Sequence, residues 1–170
     1  MGKVTPTTIL SHWNHMFPGF DQSSDILYAA IEQKIAAESL KEIKVERVIL
    51  SEGGIFSNKR EYLQIRRGSH VFHVCGAPYG RNFFVSWWLG EVESGIWAIV
   101  AKWPIVGTLV TRFLRPITYF TMDTAGIFLT LVHGAVMETL DGWSEQKGVQ
   151  PLIPDERKPI MRDFFSQLKM

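Results

Sequence analysis

The chain has 170 residues, a length that fits one domain burying roughly 70% of its unfolded surface, so neither a metal nor a disulfide is needed to hold it together. Eighteen basic and 17 acidic side chains leave a net charge of +1, which excludes a global field steering the protein onto nucleic acid. The single cysteine, Cys75, excludes an internal disulfide and makes a reducing compartment the simplest expectation.

The first residues carry Lys3 and then mixed polar side chains where a secretory signal needs an apolar run of about 7 to 15 residues. Pro6 stands where a myristoylation site needs Ser or Thr. The expected location is cytoplasmic, with peripheral attachment to the inner face of a membrane as a variant. Residues 1–20 read as an N-terminal arm or a short helix. Thr5 serves as N-cap and Pro6 as first helical residue, and the run ends near Phe17, before Pro18-Gly19. A second helix is predicted from Ser23 or Ser24 to about Leu40, with Asp25 in its first turn and Leu27, Tyr28, Ile31 and Ile35 on one stripe.

From Ile43 the apolar period changes to two, and strands are predicted over residues 43–50, 60–67, 70–76 and 83–92. Gly68-Ser69 is a two-residue hairpin signal. Closing that hairpin pairs Ile65 with Phe72 and Leu63 with Val74 on the core face. The other face then collects Tyr62 with Cys75, Gln64 with His73 and Arg66 with Val71, a mixed surface that something must cover. The last of the four strands is apolar on both faces, through Phe83, Val85, Trp87 and Leu89 on one and Phe84 and Trp88 on the other, as a central strand is. A long helix is predicted from Thr121 as N-cap, with Asp123 near its start, to about Lys147 before Gly148. Residues 149–170 form an extension in which Pro151, Pro154 and Pro159 stiffen the connection to a last helix bearing Met161, Phe164, Phe165 and Leu168.

Residues 94–122 stand apart. No acidic side chain occurs between Glu93 and Asp123, whereas Lys102, Arg112 and Arg115 add three positive charges. Ile105, Val106, Leu109, Val110, Phe113 and Leu114 share one side of a helical projection, and Trp97 and Trp103 flank the apolar run. A central lysine in a bilayer costs about 2.5 to 3.5 kcal/mol, and Pro104 interrupts the run, so lying in the interface is easier than spanning. Six half-buried apolar residues at roughly 0.5 to 1 kcal/mol each and three basic residues at about 1 kcal/mol each sum to roughly 6 to 9 kcal/mol as an upper bound. A micromolar dissociation constant corresponds to about 8 kcal/mol, so attachment of this strength is reversible. The competing expectation is that the segment packs on the sheet as ordinary core.

Groups able to do chemistry are sparse. His73 and Cys75 alternate onto one strand face beside Tyr62, Gln64 and Arg66, the arrangement of a thiol with a nearby base, but their Cα atoms start about 7 Å apart. They are weak catalytic candidates beside the commoner structural role. His12 and His15, one helical turn apart in the predicted helix, could contribute to a metal site only if the fold brought further ligands near, so no metal and no cofactor is expected. His133 reads as a hydrogen-bonded core residue, and Glu138, Asp141 and Glu145 as a solvated face. Lys59, Arg60, Arg66, Arg67 and Arg81 with Tyr79 could offer a basic aromatic surface, but Glu52 and Glu61 dilute it, so nucleic acid is not an expected partner. Phosphate-loop, dinucleotide, nucleophile-elbow and Cys-x-x-Cys signatures are absent from the sequence.

The expected architecture is one α+β domain over residues 1–170, an antiparallel meander of about four or more strands packed against an N-terminal helix and a long C-terminal helix. The expected function is a non-enzymatic binding module. It would contact a membrane surface or apolar ligand reversibly through Trp97, Lys102, Trp103, Ile105, Leu109, Arg112, Phe113 and Arg115. Two alternatives stand beside it: a subunit of a protein complex or homo-oligomer using the same segment as interface, and an enzyme dependent on Cys75 and His73.

Overall fold

The computed structural model describes residues 6, 8–39, 42–51, 59–92 and 118–161. In chain order these form β1 (Thr8–Pro18), α1 (Ser24–Ala37), β2 (Lys44–Ser51), β3 (Lys59–Arg67), β4 (His70–Tyr79), β5 (Asn82–Glu91), α2 (Tyr119–Lys147) and the two-residue β6 (Ile160–Met161). The sheet order is β2-β3-β4-β5-β1-β6, antiparallel throughout, so the chain meanders from β2 to β5 and its first strand closes onto the last of that run. Among the described residues the architecture is the expected α+β arrangement, an antiparallel sheet with one helix in the N-terminal part of the chain and one long helix near the C-terminus.

The predicted hairpin register is the observed one, with Leu63 opposite Val74, Ile65 opposite Phe72 and Gln64 opposite His73, and Gly68 turns the chain with φ +58°. β5 lies between β4 and β1, and its residues Phe83, Val85, Trp87 and Leu89 are buried. These side chains, with Leu63, Ile65, Phe72 and Val74, form the sheet's contribution to the core. Leu27, Tyr28, Ile31 and Ile35 of α1 and Phe128, Val132, Val136, Leu140 and Trp143 of α2 complete it.

Helix α1 begins as expected, with Ser23 as N-cap accepting from the Ile26 amide. Its attachment to the sheet centres on Gly76. Ser24 Oγ donates to the Gly76 carbonyl at 2.8 Å, and Tyr28 Oη receives the Gly76 N–H at 3.2 Å while donating to the Glu61 carbonyl at 2.9 Å. A Cβ at position 76 would stand 2.6 Å from Leu27 Cδ2 and 2.9 Å from Phe83 Cζ, so the helix sits this close because the residue is glycine.

Three sequence expectations are corrected here. Residues 8–18 are a strand rather than a short helix. Trp13 pairs with Trp87 and Phe17 with Phe83, and Ser11, Trp13 and Phe17 are buried at even spacing on one face. The apolar surface of β5 stabilises the extended form more than one local cap signal could stabilise a helix. The long helix starts earlier than predicted: Thr118 is its N-cap, its hydroxyl accepting from the Thr121 amide at 3.3 Å. Asp123 therefore lies outside the first turn. The helix end is as expected, with Gly148 at φ +63° in the left-handed cap conformation. Met161, expected on the last helix, instead pairs with Ser11 in the short edge strand Ile160–Met161, and Phe164, Phe165 and Leu168 lie outside the described residues.

Candidate functional site

Ring contacts fix the course of α2. Trp143 meets Phe83 at 5.9 Å, His133 meets Trp87 at 5.4 Å, and Phe128 meets Phe72, the residue opposite Leu89, at 5.2 Å. The helix therefore runs antiparallel to β5. The nine residues before Phe128 carry it roughly 13 Å further, whereas β5 continues only about 7 Å beyond Leu89 to Glu91. The first turns of α2 consequently outrun the sheet. Their side chains show it: Tyr119 is 89% exposed, Phe120 80% and Ile127 63%, with Met122 exposed beside them. From Phe128 to Ser144 the same helix buries one side against the core, through Phe128, Val132, Val136, Leu140 and Trp143.

A cluster of exposed aromatic and long aliphatic side chains on adjacent turns leaves apolar area in water that a packed helix normally removes. Val92, just past the end of β5, and Thr118, the N-cap of these exposed turns, lie toward the same end of the sheet. The predicted contact residues Trp97, Lys102, Trp103, Ile105, Leu109, Arg112, Phe113 and Arg115 all fall between these two in the sequence, outside the described residues. The exposed turns of α2 were not anticipated from sequence. The signal available was the run Tyr119, Phe120, Met122 and Ile127, which continues the apolar character of residues 105–114 across Pro116.

The second candidate place is the sheet face turned away from the helices. Val48, Val71 and Cys75 are buried there yet stand outside the helix-packed core, together with the buried polar side chains of Gln64, His73 and Ser86. The Gln64 amide is held at both ends: Nε2 donates to Glu46 Oε1 at 2.7 Å, and Oε1 lies 3.1 Å from His73 Nε2. With that amide orientation His73 Nε2 carries the hydrogen. Burial pushes the His73 pKa down to about 4, so the ring is neutral at neutral pH. Burial also pushes the Cys75 thiol up, opposed by the nearby Arg60 guanidinium. A neutral imidazole beside an un-ionised thiol is the reverse of the ion pair that activates a cysteine nucleophile. Fold geometry does bring His73 and Cys75 to one face, as alternation predicts, and holds both in their structural protonation states.

The remaining candidates disperse. His12 and His15 point to opposite sheet faces, since β1 is extended: His12 stacks on Trp88 at 4.7 Å, and His15 meets Phe17 edge-on at 4.8 Å. Among the described residues no group of three or more His, Cys, Asp or Glu side chains could hold a metal ion. Lys59 and Arg60 lie with Tyr79 and Arg81 at one end of the strands and Arg66 and Arg67 at the other, which divides the predicted basic aromatic surface. His133 is hydrogen bonded, accepting from Trp87 Nε1 at 3.2 Å. Glu138 pairs with Lys34 at 2.9 Å and Asp141 with Arg157, while Glu145 faces solvent.

No protein-family model and no curated protein matches the chain. Among solved structures, the crystal structure of TTHA0849 from Thermus thermophilus is similar over 75% of this chain and 97% of its own, at 12% identity and a TM-score of 0.26, a likeness too weak to indicate fold or function.

Proposed function

We propose that the protein is a non-enzymatic binding module that reversibly contacts a membrane surface or apolar ligand through the first turns of α2 and the acid-free segment that precedes them. The observation that carries this reading is the exposure of Tyr119, Phe120, Met122 and Ile127 on a helix that buries an apolar side only from Phe128 onward. Half-burying these four adds roughly 2 to 4 kcal/mol to the roughly 6 to 9 kcal/mol available from residues 94–122. Ordering and association subtract several kcal/mol from that sum, which leaves an affinity near the micromolar range. Reversible attachment follows. Among the described residues α2 is the one helix long and apolar enough to cross a membrane, but its second half is committed to the sheet, which favours peripheral contact over spanning.

The test is co-sedimentation of the purified protein with anionic and with neutral vesicles at low and high salt. The wild type is expected to bind anionic vesicles and to release at high salt. Phe120→Asp with Ile127→Asp should weaken binding by roughly tenfold or more, and Arg112→Glu with Arg115→Glu should remove the salt dependence. Absence of binding to either vesicle type overturns the membrane reading. Concentration-dependent sedimentation of the free protein in that case would instead make these turns a contact between copies of the chain.

A further inference from the structure

Strand pairing sets which residues share the end of the sheet that α2 outruns. Thr8 and His70 both stand opposite Glu91, Arg67 stands opposite His70, and Lys44 stands opposite Arg66. The β3–β4 hairpin therefore turns, at Gly68-Ser69, at the same end as the exposed Tyr119, Phe120, Met122 and Ile127. Only β4 separates β3 from β5, so Arg66 and Arg67 lie roughly 10 Å across the sheet from β5.

The hairpin carries charge where the helix carries apolar area. Arg66 Nε donates to the Gly68 carbonyl at 3.1 Å, which holds its guanidinium at the tip of the turn. Arg67 shares the strand face of Ile65, the side on which α2 packs. Both arginines are partly exposed, and among the described residues neither forms an ion pair. Of the carboxylates at this end, Glu91 is taken up by Ser69 Oγ at 3.5 Å, Asp123 stands on α2, and Glu42 is offset by Lys44 at the start of β2. Guanidinium groups without a carboxylate partner are suited to phosphate, which they bind through paired N–H donors. We infer that the tip of the β3–β4 hairpin is a second membrane contact, in which Arg66 and Arg67 bind the phosphates of anionic lipid headgroups while the first turns of α2 enter the apolar layer.

This contact rests on the membrane reading of α2 and adds an orientation to it. One amphipathic turn fixes depth but leaves the molecule free to pivot, whereas a second contact to one side fixes the tilt as well. The strands then stand steeply on the membrane, with Lys59, Tyr79 and Arg81 at the far end. From Glu91 back to Asn82, β5 extends roughly 30 Å, about three Debye lengths at about 0.1 M salt, so basic residues at the far end contribute little. Each arginine at the near end contributes roughly fivefold in affinity for an anionic surface.

Co-sedimentation with vesicles of phosphatidylcholine, alone or with about one third phosphatidylserine, tests the hairpin contact. Arg66→Gln with Arg67→Gln should weaken binding to the serine-containing vesicles roughly tenfold or more, and Lys59→Gln with Arg81→Gln, at the far end, by less than about twofold. An environment-sensitive fluorophore on Ser69→Cys should shift to the blue on these vesicles, and the same label on Arg81→Cys should not. Cys75 is buried, so the introduced thiol takes the label. The label removes neither arginine and so decides the question even where the double arginine variant fails to fold. Wild-type binding by the arginine variant, equal losses from the two pairs, or a silent label at position 69 in the bound protein overturns the hairpin contact. Binding that falls with Phe120→Asp and Ile127→Asp but not with the arginine pair overturns it alone, whereas a wild type that binds neither vesicle removes the α2 contact and this one together.

Discussion

His73 shows how one buried side chain links environment to a measurable property. It is neutral in the folded protein, with its pKa pushed from 6.5 to about 4, and regains an ordinary pKa when the chain unfolds. Between those values the unfolded chain binds the proton and the folded one does not. Its contribution to stability is therefore complete above about pH 6.5 and is lost as the pH falls toward 4, an effect of about 3 kcal/mol at most. Denaturant unfolding at about pH 7.5 and about pH 4.5 should show this loss, and His73→Gln should reduce it. An unchanged pH dependence in that variant would place its source elsewhere. Tyr28 is a second buried group set by its surroundings: burial raises its phenol pKa, so it remains protonated and keeps donating to Glu61. Arg47 packs over the Tyr28 ring at 5.6 Å and pairs with Asp25 and Glu32, an exposed cluster that covers the phenol's outer side. That Tyr28 belongs to the buried stripe is legible from helical spacing; that its hydroxyl bridges β3 and β4 is not, because the bridge depends on a strand pair remote in sequence.

At the scale of elements, legibility follows the strength of the local period. Helix α1 and strands β2 to β5 carry clear periods of 3.6 or 2 and appear where expected, with ends moved by a few residues. β1 carries Leu10, Trp13 and Phe17 as its large buried residues among histidines and polar groups, and Leu10 is out of step with the other two across the irregularity between Ile9 and Ser11, a pattern too sparse to outweigh the Thr-Pro signal before it. The start of α2 is a choice between two threonines three residues apart. The structure selects Thr118, whose hydroxyl receives the Thr121 amide, and the two hydroxyls lie 2.9 Å from each other. Thr118→Ala should therefore cost about 1 kcal/mol in thermal or denaturant unfolding, and Thr121→Ala clearly less. The reverse order would return the cap to Thr121. The exposed turns of α2 are equally an element-scale result: composition makes 119–127 apolar, but only the position of Phe128 over Phe72 shows that the sheet ends before the helix does.

For the whole molecule, the decisive pairing joins distant parts of the chain. β1 runs beside β5 from Thr8 opposite Glu91 to Pro18 opposite Asn82, so the first strand cannot pair until the meander has formed or forms with it. Trp13 meets β5, α2 and the chain leading to β6 through Trp87, His133 and the Glu156 carbonyl, which couples the elements into one cooperative unit. Tryptophan fluorescence and far-ultraviolet circular dichroism should accordingly report coincident unfolding transitions, and Trp13→Ala should shift both by about 3 to 5 kcal/mol. Separated transitions would mean that the β1–β6 side of the sheet unfolds on its own.

Sequence by itself determined what depends on near neighbours: the amphipathic stripe of α1, the Gly68-Ser69 hairpin and its register, the Gly148 cap, and the apolar, acid-free character of residues 94–122. Tertiary structure alone decided the strand form of residues 8–18, the passage of α2 beyond the sheet edge, the burial that holds His73 neutral, and the Arg157–Asp141 ion pair. These last features share one physical reason: each balances a local preference or a solvation cost against contacts with residues far away in the chain. That balance is fixed only when the sheet and the helices are packed together.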